Sequence, residues 1–139
     1  STKHNKYMEV VMANYSNTNA INHYKNSSVK TASPARLTLM LYDGAVKFCN
    51  IALESINNGD VSTANTNIIK AEKIIVELRA TLDMKYPIAK EFDRVYDYIY
   101  RRLVEANLRK EKDVLEDALK QIKTMRDTWK EVMKANNVS

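Results

Sequence analysis

Apolar residues recur at alternating intervals of three and four through four long stretches of the chain, and the first stretch is apolar around about twice the arc that an amphipathic helix needs. That stretch covers residues 31–57. Ser33 is a good helix N-cap, Pro34 suits the first helical position where its missing N–H costs nothing, and Asn57-Asn58-Gly59 is a stop signal. At about 100° per residue, Leu37, Leu41, Ala45, Phe48, Ala52 and Ile56 share one face. Met40, Gly44 and Ile51 flank that face. Leu39, Tyr42, Val46, Cys49 and Leu53 make a second stripe, which leaves Arg36, Asp43, Lys47, Asn50 and Glu54 as the only clearly polar strip. Such a helix is either covered on nearly all sides or keeps part of its surface for a partner.

The other three stretches carry stripes of ordinary width. A second helix is predicted from an Asp60 N-cap to about Leu82, on a seam of Val61, Ala64, Ile68, Ala71, Ile75, Leu78 and Leu82. A third begins after Pro87 and runs through Ile88, Phe92, Val95, Tyr96, Ile99, Leu103 and Ala106 to an end near Asn107, with Tyr96 and Tyr100 along one flank. The fourth covers residues 111–134, with Leu115, Ala118, Ile122, Met125, Trp129 and Val132 on its seam. Short connections make sequential helices antiparallel, so the expected fold is all-α: an elongated up-down-up-down four-helix bundle over residues 31–139. Residues 1–30 are rich in Asn and Ser with scattered apolar positions and read as a mobile N-terminal arm. Met12-Ala13-Asn14 resembles a natural chain start, which marks residues 1–11 as an extension outside the fold. With one bundle core complete, the strip Leu39, Tyr42, Val46, Cys49 and Leu53 is left over, and Ile21 and Tyr24 on the arm are close enough in sequence to fold over it as a removable lid.

Composition narrows the function classes. Of 139 residues, 45% are hydrophobic, enough for a single core, and only two glycines and two prolines interrupt helical propensity. The net charge of +5 comes from 22 basic residues interleaved with 17 acidic ones, a mixed surface rather than the basic patch that nucleic acid requires. No apolar run is long enough to insert in a membrane and no secretory signal block is evident, which points to a cytoplasmic protein. The single cysteine, Cys49, falls on an apolar stripe as a small hydrophobe. Histidine occurs only at His4 and His23, there is no glycine-rich phosphate loop and no carboxylate cluster on an apolar face, so neither catalysis nor a metal or other cofactor is expected.

Several blocks, in order and at matching spacing, resemble one family. Tyr24 with Val29-Lys30-Thr31-Ala32-Ser33-Pro34, Leu37, Met40-Leu41-Tyr42-Asp43-Gly44-Ala45, Ala71 with Ile74, Tyr96-Asp97-Tyr98-Ile99-Tyr100-Arg101-Arg102-Leu103, Ala106-Asn107 and Arg126-Asp127-Thr128-Trp129-Lys130-Glu131 are similar to the flagellin export chaperones, the FliS family. The resemblance spans about residues 20–134. It implies a bacterial cytosolic protein that binds the disordered C-terminal segment of flagellin, prevents early polymerisation and aids delivery to a component of the flagellar type III export gate, as a monomer or weak homodimer. It also implies that the arm, here Ile21 and Tyr24, occupies part of the client groove until displaced. The groove candidates are Leu39, Tyr42, Val46, Cys49 and Leu53, with Tyr96 and Tyr100 beside them. A generic self-associating bundle, whose extra stripe pairs with itself, is the alternative.

Overall fold

The computed structural model describes residues 33–138. The arm, with Ile21 and Tyr24, lies outside the described residues. Among those described, the chain forms α1 (Pro34–Asn57), α2 (Val61–Ala80), α3 (Pro87–Arg109) and α4 (Lys112–Ala135), with no strand. Each helix packs on its neighbours in the chain and α4 closes the ring on α1, so the bundle is square, with α1 diagonal to α3 and α2 diagonal to α4. The expected all-α bundle is the fold observed.

The caps explain where the helices begin. The Ser33 hydroxyl accepts from the Arg36 N–H at 3.1 Å, and an Asp60 carboxylate oxygen accepts from the Thr63 N–H at 3.0 Å. Each satisfies one of the donors that a helix N-terminus leaves without an intrahelical partner. Two ends differ from the sequence reading. α2 closes at Ala80 rather than Leu82, because the chain turns at Thr81, whose buried hydroxyl donates to the Leu78 carbonyl at 2.6 Å. α3 continues past Asn107 to Arg109, and it is Lys110 that takes the left-handed cap conformation. Asn107 stays helical while its side-chain amide donates to Asn65 Oδ1 on α2 at 2.8 Å. Val61, expected on the α2 seam, is 58% exposed at the bundle end.

The core answers the puzzle of the over-apolar first helix. Ile68, Ile75, Leu78, Ile99, Leu103, Leu115 and Ile122 fill the centre. α1 is flanked by α2 on one side and α4 on the other. Toward α2, Gly44 is set so close that a Cβ there would stand 3.1 Å from Ile74 Cδ1, which accounts for a glycine in mid-helix. Toward α4, the Ala35 carbonyl accepts from the Trp129 indole N–H at 2.9 Å. Every helix of the square has two neighbours, but α1 buries more of its residues than any of the other three. The second stripe is therefore part of the core: Leu39, Tyr42, Val46 and Cys49 are buried, and Leu53 is partly buried and packed against the same cluster. The expectation of a strip left over after core formation is corrected accordingly.

Candidate functional site

With both flanks of α1 buried, the open apolar surface lies in the gap between α3 and α4. Near the end of the bundle where α1 begins, these two helices do not close completely. A pocket of about 300 Å³ opens there, walled by Phe92 and Val95 of α3 and by Met125, Trp129 and Val132 of α4, with Tyr42 of α1 contributing to the lining. Phe92, Val95 and Met125 are partly buried hydrophobics packed on the core, and the polar Glu91 and Thr128 also line the opening. The notch thus combines an apolar interior with a polar edge, the usual character of a site that receives an apolar side chain from a partner.

Tyr42 links the notch to the core. Its hydroxyl lies 2.6 Å from that of Tyr96, so the two phenols form a buried hydrogen bond across the diagonal of the bundle. Burial pushes the Tyr42 phenol well above its usual range, and the bond to Tyr96 pulls it partly back. The Phe92 and Tyr96 rings stand 6.2 Å apart in a tilted arrangement, which ties the notch wall to the same pair. These contacts hold Tyr42 and Phe92 of the lining against Tyr96. Binding to such a surface avoids much of the ordering cost that a flexible one would carry.

Of the residues expected to form a groove, the structure brings Tyr42 and Tyr96 together at or just behind the notch. Leu39, Val46 and Cys49 lie within the core, and Leu53 packs at its edge. Tyr100 is elsewhere, on the same α3 flank as Asp93, Asp97 and Asn107, which all bond to α2. Phe92, Val95, Met125 and Trp129 were legible as seam residues, but nothing in their spacing shows that the helices part at this level. Glu91 carries no sequence signal, and Thr128 stands out only as part of the block Arg126-Asp127-Thr128-Trp129-Lys130-Glu131.

Cys49 is fully enclosed, and burial raises its thiol to about 12. It is expected to resist a thiol-specific disulfide reagent at pH 8 in the native protein and to react once per chain after denaturation. Rapid native labelling would show that α1 opens on its own.

The surface outside the notch is held by ion pairs. Arg102 bonds Asp117 of α4 at 2.8 Å and Glu105 at 2.9 Å, and the Tyr98 hydroxyl donates to the same Asp117 at 2.6 Å. This sets the α3–α4 spacing beyond the notch. No helix among the described residues is long and apolar enough to cross a membrane.

A square helical bundle with a preformed apolar notch has the form of a protein that binds another polypeptide. The match to known proteins agrees: residues 17–136 fit the family described as flagellar protein FliS. The chain is 40% identical to the flagellar secretion chaperone FliS of Bacillus subtilis over 112 residues, covering 81% of this chain and 84% of that one. It is 35% identical to the flagellar secretion chaperone FliS of Salmonella typhimurium over 109 residues, covering 76% and 81% respectively. The chain belongs to the FliS family of flagellar secretion chaperones.

Proposed function

We propose that this protein is a cytoplasmic chaperone for flagellin, which it holds by the disordered C-terminal segment and delivers to a component of the flagellar export gate. The observation that carries the reading, beside family membership, is the preformed notch between α3 and α4. A client that is unfolded when free loses several kcal/mol in being ordered, so the contact must bury apolar surface over a long path. At about 25 cal/mol per Å², burial of 1,000 Å² corresponds to about 25 kcal/mol of gross transfer energy, ample to offset ordering and association. The notch supplies an anchor for one apolar side chain of the client, with Tyr42 and Tyr96 as its support. Tyr100 extends the contact on the other flank of α3. Leu39, Val46, Cys49 and Leu53 act from below, by holding α1 in place.

The arm is proposed as a competitor. Ser33, where it joins the bundle, caps the helix whose first turn is bonded to Trp129 of the notch. Ile21 and Tyr24 stand twelve and nine residues before Ser33, a length of chain that can reach the site, and they occupy it until the client displaces them, lowering apparent affinity by the fraction closed. Release then needs no nucleotide chemistry. The test is size-exclusion chromatography with light scattering on this protein mixed with flagellin. A 1:1 complex that suppresses filament formation supports the reading, and separate elution with unhindered polymerisation contradicts it.

A further inference from the structure

The α1–α2 face stands on the side of the square opposite the α3–α4 notch. Met40, Gly44, Lys47 and Ile51 follow one another along α1 at intervals of four and three, and Gly44, set against Ile74, shows that this flank meets α2. One turn further along α1 is Phe48, partly buried and packed on the core. The Lys70 ammonium of α2 lies 5.3 Å from the centre of its ring, and the Lys47 ammonium lies 5.8 Å from the same centre. Lys73, three residues beyond Lys70 and on the same side of α2, is exposed like the other two. These are the only lysines of α1 and α2, and all three gather at one level of the bundle. None of them forms an ion pair among the described residues. A surface of mixed charge is therefore locally basic at this face.

Two cations on one ring are more than the stability of the bundle requires. A single lysine supplies the ring contact, whereas the second, with Lys73 close by, adds repulsion between like charges. An incoming carboxylate reverses that balance, because all three lysines attract it at once. Met40 and Ile51 stay half-buried on either side of Lys47, so apolar surface accompanies the charge. Asp43 and Glu54, both exposed, bound the strip along α1. At about 1.5 Å per residue the span between them is about 16 Å, room for three turns of an acidic helix. A nucleic-acid duplex or a membrane surface reaches past both carboxylates and is repelled by them. We propose that the α1–α2 face docks a short acidic segment of a second protein, distinct from the client, which sets carboxylates on Lys47, Lys70 and Lys73 and apolar side chains on Met40 and Ile51. The proposal does not rest on the flagellin reading, since the face lies away from the notch.

The test is a fluorescence-anisotropy titration of the full chain against a labelled three-turn peptide carrying glutamate and leucine at helical spacing, and against its counterpart with glutamine for glutamate. Wild type is compared with the double variant Lys47→Gln, Lys70→Gln and with Lys120→Gln, Lys123→Gln, which removes the same charge from α4. All four lysines are exposed, so neither variant disturbs the core. The acidic peptide is expected to bind wild type about tenfold more tightly than the glutamine peptide does. The Lys47 and Lys70 variant is expected to lose about fivefold or more at low salt, the loss shrinking as salt is raised, while the α4 variant stays within about twofold of wild type. Equal losses in the two variants would mean diffuse attraction to a chain of net charge +5, and would overturn the proposal, as would no binding by wild type. Displacement of the peptide by the flagellin C-terminal segment would make the face part of the client surface and overturn it too. So would an oligonucleotide or anionic vesicle that binds more tightly than the peptide with the same dependence on Lys47 and Lys70.

Discussion

Trp129→Ala is expected to destabilise the bundle by about 3–5 kcal/mol, in the range of large aromatic deletions from a core. The side chain is 3% exposed and lies between α1 and the notch. Removing it deletes the indole's contacts, leaves a cavity and breaks the 2.9 Å bond to the Ala35 carbonyl that fastens α4 to the first turn of α1. Against a total stability of about 5–15 kcal/mol for a domain of this kind, the loss is large enough to populate unfolded chain at ordinary temperature. Trp129→Phe separates the components: it keeps most of the apolar volume and loses the donor, for an expected cost of about 1–2 kcal/mol. Urea denaturation followed by far-ultraviolet circular dichroism measures both. The indole is the only tryptophan in the chain, so fluorescence cannot serve as the probe. A shift below about 1 kcal/mol for the alanine variant would mean that α1 and α4 are held together by other contacts.

Val95→Glu is expected to weaken flagellin binding by about 2 kcal/mol or more, roughly thirtyfold, while the helical content and unfolding midpoint stay close to wild type. Val95 lines the notch and is only partly buried, so a carboxylate can reach solvent without entering the core. In the bound state the same carboxylate is desolvated against an apolar client side chain without a partner. Leu39→Glu provides the contrast. Leu39 is 6% exposed, so a charge at this position is expected to unfold the protein rather than to impair binding alone. Equal affinity for Val95→Glu and wild type would remove the notch from the client surface. Loss of structure in Val95→Glu would show that the α3–α4 contact there is tighter than its exposure indicates.

The helices were legible because the local signals are local in cause. A serine or aspartate that caps, a proline at a first turn and a three-four apolar alternation each act within one or two turns, and all four helices begin within a residue of where those signals place them. The ends were less legible where distant residues decide them. Asn107 remains helical while its side chain is bonded to Asn65 on another helix. The second stripe of α1 is apolar, as its spacing indicates, but it is core and not surplus. A helical wheel counts the width of an apolar arc, and only the packed structure shows how many of those residues are buried. The notch has no sequence signature of its own, since Phe92, Val95, Met125 and Trp129 keep the same spacing as residues that are fully enclosed.

The C-terminal segment of flagellin is the proposed client of this bundle. Isothermal titration with a peptide of about the last 40 residues of flagellin from the same organism tests it most directly, because coupled folding and apolar burial leave a marked heat-capacity signature. Tight 1:1 binding with a large negative heat-capacity change is expected, weakened in Val95→Glu. No heat, together with no complex on size exclusion, would contradict it.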